Sequence, residues 1–327
     1  MSKLKKKPIL VFVILLIVLY AIIYIVPKIN GALVSSYVAE YGELKISDET
    51  TAYFVRDEKV YGAKINGDTN YFFDQGSLIR KGAKVMQVNE NNDDAESPSS
   101  RYADILSNLG DSLIEKKNYR TNDVGVVSYY VDGYESLITP KNMKDGDLSF
   151  FKKLSQKDVI DLKRESVVAG EPIFKIVDRT KWYMVCFIEE EHLDRYEAGT
   201  KVKVIFEDGD VSARVYQSEA VGGKGKVILQ TDNYYEKFAE TRVADVSLVT
   251  YDETGLIVEN SSITEKKGET GVYVKSKSDD FFFVPIMVYA TDGEKSLIAD
   301  DFYYDQSKGG EMVITVEVYD EIKKNAE

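Results

Sequence analysis

A chain with one histidine and one cysteine has few routes to acid–base, nucleophilic or metal chemistry, and each can be located at once. His192 follows Glu189-Glu190-Glu191 and precedes Leu193-Asp194-Arg195. Carboxylates so close favour the imidazolium, and a general base there is conceivable. A Ser-His-Asp site also needs a nucleophile on a defined strand–turn–helix, and the chain has no Gly-x-Ser-x-Gly. A surface histidine on a loop or short helix after a strand is therefore expected. Cys186, inside the apolar run Trp182-Tyr-Met-Val-Cys-Phe-Ile188, reads as a buried free thiol. Gly222-Gly-Lys-Gly225 lacks the Gly-x4-Gly-Lys-[Ser/Thr] phosphate loop and its helix, and suits a hairpin turn. The acidic groups Glu207-Asp-Gly-Asp210, Asp279-Asp280 and Asp300-Asp301 could offer oxygens to Ca²⁺, but none has calcium-loop spacing, so solvated turns are expected. Acids are abundant enough for a glycosidase pair, yet no motif singles one out. The reading is of no catalytic residue, no metal and no cofactor.

The elements that carry these residues are mostly strands. Among 327 residues, 23 Tyr, 14 Phe and only 6 Pro suit pleated, half-buried surfaces. The charge, 42 Lys+Arg against 55 Asp+Glu, gives −13, which disfavours nucleic acid and anionic lipid as partners. One His and one Cys exclude His/Cys metal clusters and a disulfide framework. Residues 1–28 hold five Lys and no acid, so the remainder carries 37 basic against 55 acidic side chains, a net of −18.

That asymmetry accompanies an uncharged run from Ile9 to Val26 behind Lys3, Lys5, Lys6 and Lys7. Its length lies within the ~17–25 residues of a spanning helix. The basic flank places residues 1–8 in the cytoplasm and everything after Val26 outside. A cleaved signal peptide has a shorter apolar region and a small-x-small site. Here the run leaves through Val26-Pro-Lys-Ile-Asn30, so an uncleaved single-pass anchor in the cell membrane is expected.

Beyond Lys45, short alternating runs are separated by Gly/Asp turns, as in Val202–Phe206, Glu207–Asp210 and Val211–Tyr216. Within them a motif recurs. Gly67-Asp-Thr-Asn-Tyr71-Phe-Phe-Asp74 matches Gly125-Val-Val-Ser-Tyr129-Tyr-Val-Asp132. Each copy is followed by Gly-x-x-[Val/Ile]-x-x-[Val/Ile], beginning at Gly82 and at Gly170. The two elements lie 15 residues apart in the first copy and 45 in the second, so the second contains an insertion of about 30 residues. Ordered glycines of this kind predict two similar β halves packed as a sandwich.

With those residues in view, the chain resembles the periplasmic adaptor (membrane fusion) proteins of the hemolysin-secretion type. The residues 52–88, with Arg56-Asp57-Glu58, Ile65-Asn66-Gly67, Asp74-Gln75-Gly76 and Arg80-Lys81-Gly82, are similar to the first half of their lipoyl-like barrel-sandwich domain. Asn122–Asp178, with Val131-Asp-Gly-Tyr-Glu135 and Ala169-Gly-Glu-Pro172, are similar to the second half. Trp182–Val249 is similar to the adaptor β-barrel, and Gly255–Ile263 to the start of the membrane-proximal domain. The likeness is greatest to anchored adaptor-type proteins of Gram-positive bacteria.

The resemblance implies a mainly β protein: cytoplasmic tail 1–8, transmembrane helix 9–26, and juxtamembrane segment 27–50, with or without a first strand of the last domain. Lipoyl-like halves would then occupy 51–90 and 121–178, a short helical arm 91–120, a β-barrel 179–252 and a membrane-proximal β domain 253–327. The lysine that true lipoyl domains modify has no counterpart, since an acidic segment and a helix occupy that junction. Where secretion adaptors insert a long helical hairpin, Asn89–Thr121 leaves 33 residues. Ser97-Pro98-Ser99 makes a helix start, and Tyr102, Ile105, Leu106, Leu109 and Leu113 form one apolar stripe. A helix from Ser99 to Lys117 would be about 28 Å long. Its stripe packs onto the protein's own sandwich or serves as a self-association or partner face. Such an arm is too short to cross a periplasm.

Three functions follow as expectations. The first is a non-enzymatic adaptor that self-associates or docks an integral membrane protein such as an ABC transporter. The second is an envelope or division-site scaffold without transport. The third is an extracytoplasmic hydrolase using carboxylates.

Overall fold

The computed structural model describes residues 6–20, 35–91, 98–154, 159–233 and 235–326. The N-terminal run contributes an α-helix, Lys6–Tyr20, whose side chains from Phe12 to Tyr20 are all exposed. Among the described residues no helix is long and apolar enough to cross a membrane. The rest of the expected span, residues 21–26, lies outside them, as does most of the acidic stretch before Ser97.

The chain divides into two compact units, residues 47–250 and residues 1–46 with 251–327. The larger unit holds two β bodies. One is a closed six-stranded barrel in which Lys201–Phe206, Gly209–Val221, Lys224–Thr231, Trp182–Glu189, the later part of Glu40–Val55 and the first part of Val243–Glu259 follow one another. Lys201–Phe206 pairs with Val243–Glu259 to complete the circle, Val204 opposite Leu248. The expected barrel limits of 179–252 change accordingly: residues 47–55 also supply a wall strand. Alternation places Val202, Val204, Val211, Ala213 and Val215 inside the barrel, with Phe54 stacked on Trp182 at 5.3 Å. The expected hairpins are present. Glu207-Asp208 turns between Phe206 and Gly209, and Gly222-Gly223, both with positive φ, between Val221 and Lys224.

The other body is the barrel-sandwich, and its two copies are built alike. Gly67 opens Gly67–Tyr71, which pairs with Met86–Glu90, and Gly125 opens Gly125–Ser128, which pairs with Pro172–Val177. Each copy also lends a short strand to the other: Val167 lies opposite Gly67, and Ile79 opposite Gly125. Those two donors sit three residues before Gly170 and Gly82 respectively, the same offset in both copies. The hydrogen bonds repeat as well, Thr69 N–H donating to Glu165 O at 2.8 Å and Val127 N–H to Ser77 O at 2.9 Å. Gly82 and Gly170 have φ of +80° and +86°. At the centre Tyr71 and Tyr129 meet edge to face at 5.2 Å.

The arm differs from the expected helix. Ser99 caps a 3-10 turn, Ser100–Tyr102, and the α-helix covers only Ala103–Leu109. Gly110, at φ +48°, ends it, and the chain turns extended at Leu113 before Ile114–Glu115 joins Glu58–Gly62 in parallel. Tyr102, Ile105 and Leu109 are buried in the sandwich core, and Leu106 and Leu113 pack against it. The packing alternative thus describes Tyr102, Ile105 and Leu109, while Leu106 and Leu113 remain partly exposed. Ile105→Ala and Leu109→Ala are each expected to lower unfolding stability by about 2–5 kcal/mol. Denaturant unfolding checks this; an unchanged midpoint would show the stripe to be dispensable for packing.

In the smaller unit, Ser36–Val38, Glu321–Lys323, Glu269–Lys275, Thr264–Lys266 and Phe281–Pro285 form one sheet over a core of Ala39, Leu256, Val272, Val316 and Ile322. Phe302–Asp305 and Glu311–Ile314 form a separate hairpin.

Candidate functional site

The insertion in the second copy has a clear structural role. Its helix Leu148–Lys152 is capped by Asp147, which accepts from Phe150 N–H, and it drives Phe151 into a small core on the barrel's outer face. Phe151 lies 5.3 Å from Tyr53 and 5.8 Å from Phe187, both barrel residues. Lys226 from the barrel is almost fully buried and donates to the carbonyls of Lys144 and Gly146 at 2.6 and 2.7 Å. The insertion therefore clasps sandwich to barrel within one compact unit.

Beside the clasp, strands, strand ends and turns of the two bodies bring six ionisable groups together out of water: Arg56, Glu58, Asp132, Glu135, Lys175 and Arg242. Arg242 makes a bidentate fork to Asp132, with Nε donating at 2.6 Å and Nη2 at 3.2 Å. It also donates to Glu58 at 2.6 Å and to Phe54 O at 3.2 Å. Arg56 donates to Glu58 at 3.1 Å and to Thr241 O at 2.7 Å. Lys175 joins Glu58 at 2.7 Å and Glu135 at 3.3 Å. Glu135 in turn accepts the backbone N–H of Asp132 and of Gly133, each at 3.0 Å. Three cations face three carboxylates, so the cluster is neutral as a whole, the condition under which buried charge is tolerated.

Burial alone would raise the carboxylates of Asp132 and Glu58, but the adjacent cations outweigh it. Arg242 and Lys175 bring Asp132 down to about 2. Arg242, Arg56 and Lys175 hold Glu58 well below the usual carboxylate range. Burial prevails at Glu135, which is raised despite Lys175. Arg56 is lowered by burial, while Asp132 and Glu58 keep Arg242 high against it. These are the properties of an ion-paired joint.

Of the repeat residues, Asp132 enters this joint while its counterpart Asp74 is exposed, 4.0 Å from Lys163. Arg56, Glu58, Lys175 and Arg242 were not singled out as site residues from the sequence. One signal existed: Lys175 interrupts the otherwise apolar strand Pro172–Val177, and a charge there must be paired.

Other candidates resolve simply. His192 lies in a 3-10 helix, Glu190–Tyr196, with Nδ1 2.5 Å from the buried Asp48 carboxylate, which also accepts from Tyr196 Oη at 2.7 Å. The histidine is thus pinned to the barrel rather than free on a loop, and its side-chain partners among the described residues are the carboxylates of Asp48 and Glu191. Cys186 is fully buried, and burial pushes its thiol far up. In the acidic turns, Asp208 pairs with Lys237 at 2.6 Å and Asp279 with Lys275 at 3.2 Å. No metal-ligating cluster occurs among the described residues.

The sandwich also carries a cleft of about 830 Å³ whose ionisable lining is entirely basic: Arg80, Lys81, Lys84 and Arg120. None of the four forms an ion pair among the described residues. Phe72 and Leu78 stand exposed beside them. Lys84 donates to Gln87 Oε1 at 2.8 Å and lies over the Phe72 ring, and Arg120 donates to Gly82 O at 2.7 Å, so the cations stand at the margin of an apolar surface.

The larger unit thus couples a split barrel-sandwich to a closed barrel through the insertion and the buried charge cluster. Residues 58–178 match the RND related, barrel-sandwich hybrid domain, and residues 182–252 the RND related, beta-barrel domain. The chain belongs to the RND-related family that these two consecutive domains describe, in line with the sequence resemblance. Among solved structures it is similar to ZneB from Cupriavidus metallidurans, at 12% identity over 89% of this chain and 92% of that one, TM-score 0.31. It is similar to MacA from Actinobacillus actinomycetemcomitans, at 10% identity over 89% and 99%, TM-score 0.35. The membrane fusion protein Spr0693 from Streptococcus pneumoniae R6 matches at 11% identity over 65% and 100%, TM-score 0.27. No curated protein matches the sequence.

Proposed function

We propose that this protein is a non-enzymatic adaptor, anchored by residues 9–26 with its N-terminus in the cytoplasm and its β-rich ectodomain outside. It docks an integral membrane transporter or an envelope complex and associates with itself. The observation that carries this reading is the order of the two family domains, barrel-sandwich then barrel, locked together by the buried joint of Arg242, Glu58 and Asp132. A rigid pair of domains holds a partner in fixed geometry, and the exposed cleft of Arg80, Lys81, Lys84 and Arg120 is a suitable contact face for an acidic partner surface.

A scaffold role without transport is the second reading, favoured by one feature: the α-helix of the arm has only seven residues and is spent on internal packing. Deleting the gene in the native cell separates the two. Loss of export supports docking to a transporter, and a change of cell shape with export intact supports the scaffold. Topology is checked with single cysteines placed at exposed Lys201 and at Lys3 in the full chain. An impermeant maleimide added to intact cells should label the first and spare the second; the reverse pattern would overturn the anchored orientation.

A further inference from the structure

The hairpin Phe302–Asp305/Glu311–Ile314 breaks the ordinary rule of an outer strand face. Alternation along a half-buried strand should put polar side chains toward water. Here the outward residues are Phe302, Tyr304, Met312 and Ile314, between 43% and 67% exposed. The register makes them one patch, because Phe302 lies opposite Ile314 and Tyr304 opposite Met312. The rings of Phe302 and Tyr304 meet edge to face at 5.7 Å. The opposite face, Tyr303 and Val313, is only half-buried, and the two strands pair with no third strand among the described residues. An isolated two-stranded hairpin is marginal in water, and four exposed apolar residues make it more so.

The patch continues past Ile314 into a cleft of about 600 Å³ that Phe282 and Pro285 line on its apolar side. Lys277 lines the same cleft without an ion pair among the described residues, beside the carboxylates Glu317 and Asp320 and beside Lys275, which is held by Asp279 at 3.2 Å and Glu321 at 3.3 Å. Exposed aromatic rings beside apolar side chains match the interfacial layer of a phospholipid bilayer, where such rings are favoured and a lysine such as Lys277 reaches toward the headgroups. Chain length puts such a surface within reach. The smaller unit begins its sheet at Ser36, ten residues after Val26. A segment of that length spans at most about 36 Å even when fully extended. The apolar hairpin is thus carried by the unit with the shortest tether to the anchor.

We propose that the hairpin 302–314 rests on the outer leaflet of the membrane, with Phe302, Tyr304, Met312 and Ile314 immersed at headgroup level. The contact is apolar, so it holds on zwitterionic lipid despite the acidic ectodomain. This inference rests on the N-terminal anchor of the proposed function, and the experiment separates the two.

Full-length protein carrying Tyr304→Cys or Ile314→Cys is labelled with bimane. The native Cys186 is fully buried and stays unlabelled in the folded chain. Both new positions are exposed, so folding is expected to survive, and circular dichroism confirms it. The protein is reconstituted into phosphatidylcholine vesicles with and without 5-doxyl phosphatidylcholine, then floated on a density gradient. The expected result is co-flotation with at least twofold quenching at both positions by the doxyl lipid. Co-flotation without quenching overturns the hairpin contact and leaves the anchor standing. A lipid-independent emission shift that grows with protein concentration also overturns it, since a second copy then covers the patch. Failure to float refutes the anchor and the hairpin contact with it.

Discussion

Arg242→Met is expected to lower the unfolding free energy of the larger unit by about 3–5 kcal/mol at pH 7, because it leaves the carboxylates of Glu58 and Asp132 buried without their main partner. Each is almost fully buried, so neither can recover its solvation by turning to water. Urea unfolding followed by the fluorescence of Trp182, the only tryptophan and itself buried in the barrel core, reports directly on this unit. The pH dependence has a definite sign. Asp132 titrates at about 2 in the fold and Glu58 is also depressed, so their contribution is full above the unfolded value near 4 and is lost as pH falls toward 2. Glu135 acts oppositely: it is raised, so its cost at neutral pH is relieved as acidification protonates it. In Arg242→Met, Asp132 loses its bidentate partner and stays buried, while Glu58 keeps Arg56 and Lys175, so protonation of Asp132 relieves most of the cost. The gap between wild type and variant should therefore narrow from pH 7 to pH 3. Equal stability at pH 7, or a gap that widens in acid, would show that the joint does not hold the two bodies together.

Gly67→Ala and Gly125→Ala form the second large prediction. A Cβ at Gly67 would stand 2.0 Å from the carbonyl oxygen of Asn89, and one at Gly125 would stand 2.6 Å from that of Val177. The obstacle is paired backbone in both cases, so strands must part, and each substitution should cost about 3 kcal/mol. Gly76→Ala meets nothing within 4 Å and strains only its φ of +79°, so about 1 kcal/mol is expected there. Matching losses at the two repeat glycines, well above the loss at Gly76, would show in urea midpoints. A Gly67→Ala protein no less stable than Gly76→Ala would refute the close strand approach.

Much of this architecture was legible in the chain because it is local or periodic. Gly67 and Gly125, with Gly82 and Gly170, marked two equivalent halves, and the structure gives their strands equivalent partners. Alternation over Val202–Phe206 and Val211–Tyr216 gave a barrel hairpin for the same reason. Long-range pairing was not legible. Nothing near residues 47–55 says that they close a barrel whose other strands begin after residue 181. The apolar stripe from Tyr102 to Leu113 has helical spacing, but spacing does not encode where Gly110 stops the helix or which surface the stripe covers. The buried joint was the hardest to see. Arg56, Glu58, Asp132, Lys175 and Arg242 are scattered over the chain, and each resembles an ordinary surface charge until the fold removes its water. The exposed quartet at 302–314 was hidden in the same way, since outward and inward apolar residues look alike before register is known.

The central claim is that this chain works by holding another membrane protein. Photocrosslinking amino acids placed at Phe72 and at Leu78, both exposed beside the basic cleft, test it in living cells producing the full-length chain. Adducts with an integral membrane protein are expected, recovered in constant ratio to the chain and weakened when Arg80 and Arg120 are changed to glutamate. Recovery of neither an integral membrane partner nor a second copy of the chain, from a protein present in the membrane at normal level, would contradict it.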